Sequence, residues 1–127
     1  MNGHKLLADT NIFLYLMNGD KNIADYLSGK DVYISFITEI ELLSFSDLKE
    51  EDELIIHSLL SECKIIAFND WIKYDTIQIR KENKFKLPDS IIIATSKFLN
   101  IPFFTADKKL ARVKGNAHVI LYEEKSL

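Results

Sequence analysis

Leu87-Pro88-Asp89-Ser90-Ile91-Ile92-Ile93-Ala94-Thr95-Ser96-Lys97-Phe98-Leu99 runs through Asn100 into Ile101-Pro102-Phe103-Phe104-Thr105-Ala106-Asp107. The segment from Pro88 to Leu99 reads as a helix. Ile91 to Ala94 are consecutive, so it is apolar nearly all round, which is the pattern of a helix buried between layers. Ile101 to Thr105 reads as a strand, and an acid, Asp107, follows it after one residue. The same alternation extends outward in both directions. Downstream, a short helix from Asp107 to Val113 leads to a fifth strand, His118 to Leu121. Upstream, Asn69 caps a helix carrying Trp71, Tyr74 and Ile77, and Lys64 to Phe68 is the third strand. A helix with Ile55/Leu59 and Ile56/Leu60 at i, i+4 precedes that strand. Before it come a helix from Thr38 to Ser44, a strand from Val32 to Phe36, a helix from Asp20 to Leu27, a helix around Ile12 to Leu16, and a first strand, His4 to Ala8. Strands separated by helices imply an α/β domain with a central, mainly parallel sheet of about five strands and helices on both faces.

The 127 residues suit one domain, expected over 1–127. Apolar residues make up 47%, enough for a sizeable core. The net charge is −3, which on its own argues against a nucleic-acid partner. The distribution reverses that. Residues 1–63 carry four basic and twelve acidic side chains, a net of −8, whereas residues 64–127 carry twelve basic and seven acidic, a net of +5. Cys63 is the single cysteine, which excludes an internal disulfide and a cysteine-based zinc site. No apolar run approaches the ~20 residues of a membrane span. Asp9 interrupts the first apolar stretch too early for a signal-peptide core. A reducing, cytoplasmic setting with no membrane contact is expected.

Ligands of open parallel sheets bind beyond the carboxyl ends of the strands. Asp9 ends the first strand, Glu39 and Glu41 follow the second within a turn, Asp89 opens the helix before the fourth strand, and Asp107 follows that strand. Each acid has a bland role available. Asp9 and Asp107 suit helix caps, Asp89 suits a helix dipole, and Thr38 to Glu41 fits a capping box. Together they describe something else. Carboxylates gathered at one sheet edge repel and raise one another's pKa, and a hard cation relieves that cost. Mg²⁺ or Mn²⁺ favours oxygen ligands, and such a site suits phosphodiester hydrolysis.

These residues carry a family resemblance. Leu7-Ala8-Asp9-Thr10-Asn11, then Ile34-Ser35-Phe36-Ile37-Thr38 with Glu41-Leu42, then Leu87 to Thr95, then Phe104-Thr105-Ala106-Asp107 resemble, in order and spacing, the four motifs of PIN-domain proteins. The length is similar to that of the small VapC-type toxins of that family. The resemblance implies a three-layer α/β/α fold and a metal-dependent endoribonuclease acting on RNA. It also implies Asp9, Glu41, Asp89 and Asp107 as catalytic metal-site acids, with Thr10, Asn11 and Thr105 in support. The family pattern sets its Glu three residues after the Thr, which selects Glu41. On a helix Glu39 points about 200° away from Glu41, so both cannot face one site. The positions two to four after Asp107, acidic in some family members, hold Lys109, Leu110 and Ala111. A homodimer and a small antitoxin partner are further implications, with Phe13, Tyr15, Leu16 and Tyr26 as interface candidates or core.

Arg80, Lys84 and Lys86 precede one motif, and Lys108, Lys109 and Arg112 follow another, which makes them candidates for holding an RNA backbone. Phe85 either stacks on a base or packs against the body. His4, His57 and His118 are scattered and read as structural or surface residues. Cys63 reads as a small buried hydrophobe, and Trp71 and the tyrosines read as core or interface. Two other functions compete. One is a PIN-like RNA- or protein-binding module without turnover. The other is a phosphoryl-transfer enzyme or phospho-receiver, but the phosphatase pattern wants an Asp where Asn11 stands, and a receiver wants an acidic pair where only Asp9 stands.

Overall fold

Residues 4–115 and 117–123 are described by a computed structural model; the expected domain bounds, 1–127, extend past them at both ends. The elements in chain order are β1 (Lys5–Ala8), α1 (Thr10–Met17), α2 (Lys21–Leu27), β2 (Asp31–Ser35), α3 (Phe36–Leu43), α4 (Glu50–Ser61), β3 (Lys64–Ile66), α5 (Asp70–Glu82), α6 (Leu87–Leu99), β4 (Phe103–Thr105) and β5 (Val119–Leu121). A single 3-10 turn, Leu110–Arg112, stands where a longer helix was expected. The sheet order is β3-β2-β1-β4-β5, and every pairing is parallel. β1 is therefore central, and β3 and β5 are the edges.

The strand period of two divides the apolar residues between two cores. Leu7 and Phe103 face one side, where they pack with Ile72, Ile79 and Ile91 to Ala94 of α5 and α6. Leu6, Ala8 and Phe104 face the other, with Ile12, Phe13, Ile23, Leu42, Ile56 and Leu60 from the first four helices. The layers are α/β/α, as the resemblance implies. The helix from Leu87 is the buried one: Ser90 to Ser96 are all buried. Phe85 and Phe13 are core residues. The three histidines are exposed. Cys63 is half-buried, and burial pushes its thiol up to about 11.

Several boundaries shift for local reasons. Ser35 caps α3, its hydroxyl accepting from the Ile37 N–H at 3.1 Å, so Phe36 starts a helix instead of ending a strand. Thr38 therefore lies inside α3 and caps nothing. β3 stops at Ile66, and the Phe68 ring meets Phe36 at 5.7 Å. On α5, the core half of the core-or-interface reading fails for Trp71 and Tyr74. Ile72, Thr76 and Ile79 face the core. Trp71 and Tyr74 do not: they are 71% and 62% exposed, and Ile77 lies on the same outward face.

Neighbouring residues of α4 test the assignment of faces. Ile56 is fully buried, whereas Ile55 is half exposed. Ile56→Ala should lower unfolding free energy by about 2–5 kcal/mol, and Ile55→Ala by no more than about 0.5 kcal/mol. Urea titration reads both, with an unchanged slope expected for each.

Candidate active site

Four polypeptide segments meet at the carboxyl edge of the sheet. β1 hands the chain to α1 at Asp9, which caps that helix: its Oδ1 accepts from the Asn11 N–H at 3.0 Å. Its Oδ2 accepts from the Thr105 hydroxyl at 2.5 Å, at the end of the adjacent strand β4. The Thr105 oxygen in turn accepts from the Asp107 N–H at 3.0 Å, which fixes the turn that presents Asp107. The Asp107 Oδ1 accepts from the Lys109 N–H at 2.8 Å. Glu41, near the end of α3, accepts from the Thr10 hydroxyl at 2.7 Å. That hydroxyl proton is used, so the 3.0 Å contact between Thr10 and Thr38 makes Thr38 the donor to Thr10. Asp89 sits in the first turn of α6.

Asp9, Glu41, Asp89 and Asp107 all line one cleft of about 340 Å³, with Thr10, Asn11, Leu14, Phe45, Lys86 and Pro88. Glu39 is not among its walls. Asn11, Leu14 and Asp107 also border an adjoining hollow of about 400 Å³ over α1. Of the six basic candidates, Lys86 alone forms part of the cleft wall. Lys108 and Lys109 are exposed beside Asp107, while Arg80, Lys84 and Arg112 are exposed elsewhere on the surface. Thr38 is the polar support that sequence reading assigned to capping. Its signal was available, because three residues separate it from Glu41 and put both on one helix face.

The electrostatics follow from crowding. Burial holds the Asp9 carboxyl above the ordinary carboxylate range; the bonds from Thr105 and Asn11 pull the other way, and Asp107 and Glu41 add to the rise. Burial also raises Asp89, and the charges of Asp9, Asp107 and Glu41 raise it further, with Lys86 opposing. Asp9 and Asp89 therefore both stand in the field of the neighbouring acids, with one ammonium nearby. An all-oxygen donor set under mutual repulsion fits a hard divalent cation. Among the described residues, no three His, Cys, Asp or Glu side chains are grouped closely enough to hold an ion by themselves. An ion there would keep part of its water shell, as Mg²⁺ commonly does.

Residues 6–116 match the family model for the PIN domain. Among solved structures, a toxin–antitoxin complex from Klebsiella pneumoniae is 31% identical with a TM-score of 0.80, covering 94% of this chain and 99% of that one. VapBC2 from Rickettsia felis, bound to a DNA fragment from its promoter, is 22% identical with a TM-score of 0.80 over 94% and 99%. DNA-bound VapBC from Salmonella typhimurium is 18% identical with a TM-score of 0.78 over 91% and 96%. Among curated proteins, none matches the chain.

Asp9 and Asp89 bind their protons more tightly folded than unfolded. The stability they contribute is complete below the unfolded carboxylate pKa of about 3.9 and is lost as pH rises through their elevated native values. In EDTA, Asp89→Asn should raise the melting temperature at pH 8 and change it little at acidic pH. A fall at pH 8 would contradict the repulsion.

Proposed function

The chain belongs to the PIN domain family, and from that premise we propose that it is a metal-dependent endoribonuclease, the VapC-type toxin of a toxin–antitoxin pair. The observation that carries the reading is the convergence of Asp9, Glu41, Asp89 and Asp107 on one cleft that also holds Lys86. These four acids would hold Mg²⁺ or Mn²⁺. The ion's contribution would be Lewis acidity toward water and toward the phosphate oxygens. The protein's own groups divide the remaining work. Thr105 and Asn11 orient Asp9, and Thr10, backed by Thr38, orients Glu41. Lys86 offers a point charge to a backbone phosphate at the cleft wall, and Lys108 and Lys109 extend it past Asp107. RNA as substrate follows from the family resemblance.

Two partner readings accompany this one. The solved relative from Klebsiella pneumoniae, a toxin–antitoxin complex, supports a small antitoxin partner. The exposed stripe Trp71, Tyr74 and Ile77 on α5 supports a homodimer, since a contiguous apolar face on a helix marks an interaction surface. Phe13, one of the early-helix candidates, is committed to the core. No helix among the described residues is long and apolar enough to cross a membrane, and a single cytoplasmic domain spanning 1–127 completes the proposal.

A labelled mixed RNA pool tests the reading, with single-stranded DNA of the same sequences beside it. Wild type should cut RNA with Mg²⁺ or Mn²⁺ and stop in EDTA. Asp89→Asn, which removes a charge without breaking a hydrogen bond, should lower the rate at least about a hundredfold with the fold retained; Asp9→Asn should do the same. Binding without cleavage would favour a non-catalytic module. Millimolar Mg²⁺ should raise the melting temperature by mass action, and less so in Asp89→Asn. For the dimer, light scattering should report twice the chain mass for wild type and the monomer mass for Tyr74→Lys.

A further inference from the structure

We propose that Phe45 is a base-stacking residue of the cleft, holding the face of an unpaired nucleobase while the adjoining phosphate lies toward Lys86 and the carboxylates. The proposal rests on the nuclease reading above. Phe45 is 44% exposed, although a phenyl ring gains by burial. Of the eight phenylalanines, Phe13, Phe85, Phe103 and Phe104 are core and Phe36 is half-buried against Phe68; Phe68 and Phe98 are about as exposed as Phe45, but neither lines the acid cleft. Phe45 has no ring partner among the described residues, and it is the one aromatic side chain in the wall of the acid cleft.

Its position is fixed relative to the chemistry. Phe45 follows Glu41 by four residues and lies just past the end of α3. Between them Ser44 ends α3, its N–H bonded to the Glu41 carbonyl and its hydroxyl to that of Ile40. The ring therefore follows a closed helix end and lines the same cleft as the Glu41 carboxylate. Leu14 and Pro88 supply apolar neighbours in the same wall, and Lys86 supplies a cation. A flat apolar face beside one ammonium and a group of acids suits a nucleotide: base against the ring, phosphate toward the lysine and any cation held there. A base inside a duplex has both faces covered, so the partner is an unpaired nucleotide. Phe45 touches no reacting atom in this arrangement and is a positioning residue.

Aromatic stacking and mere apolar packing predict different rescue. Binding of a labelled short single-stranded RNA of mixed sequence is read by anisotropy in an Asp89→Asn background with Mg²⁺, which separates binding from turnover. Phe45→Leu should weaken binding about tenfold, within the range of one lost stacking contact; Phe45→Trp should restore it. The melting temperature should stay unchanged, because the ring is exposed. With Asp89 intact, Phe45→Leu should raise KM for RNA by a similar factor and leave kcat nearly unaltered. A fully paired duplex of the same sequences should not sense the substitution. Equal binding by Phe45→Leu and its parent, or failure of Phe45→Trp to restore binding, overturns the proposal, as does a parent that binds no single strand. If wild type binds in the Phe45-dependent way but cuts nothing, the nuclease reading fails and the stacking role stands.

Discussion

The hydroxyl of Thr105 meets the carboxylate of Asp9 at 2.5 Å across 96 residues of sequence. That bond exists because β1 and β4 run parallel with Ala8 beside Phe104. Register in a strand is all or nothing, since a slip of one residue turns every side chain to the opposite face. A slip between these two strands would exchange the contents of the two cores and would also part Asp9 from Thr105. Packing and site geometry are thus one constraint.

The way the acids are held bears on their use. Asp9 and Glu41 are oriented by threonine hydroxyls and a backbone N–H, all neutral donors. A lysine or arginine in the same places would have oriented them and cancelled their charge. Neutral donors fix direction and leave the negative potential standing for a mobile cation. The one ammonium in the cleft wall, Lys86, opposes the rise of Asp89 without removing it. Repulsion within the bare carboxylate cluster and the proposed affinity for a cation then have one origin.

The elements and the strand-end acids were legible because each rests on short-range information: a period of two or 3.6, a cap, an acid directly after a strand. Asp9 shows how two readings coexist, since it caps α1 and lines the cleft at once. Direction in space was less legible. α5 carries two candidate inward stripes, Ile72/Thr76/Ile79 and Trp71/Tyr74/Ile77, and the sequence does not say which one meets the core. The basic residues failed in the same way. Arg80, Lys84 and Lys86 are close in sequence, but Arg80 lies in the last turn of α5 while Lys86 caps α6, and of the three only Lys86 lines the cleft. Phe45 had no motif to announce it. Its place depends on where α3 ends, which Ser35 and Ser44 decide.

The sheet narrows at both margins. Among the described residues, β3 and β5 have three residues each, and β3 opens on Lys64, whose ammonium stands 5.3 Å from the Tyr33 ring. An open parallel sheet exposes a row of unpaired amide groups along each outer strand, and long flat margins recruit foreign strands. Three residues offer too few such groups to template an ordered addition, and a lysine at the start makes the approach of a like copy unfavourable. The outer strands thus leave little room for strand addition, even where β5 pairs with Thr105 beside the carboxylates. The α5 face can then carry Trp71 and Tyr74 in the open while the sheet margins remain closed to uncontrolled assembly.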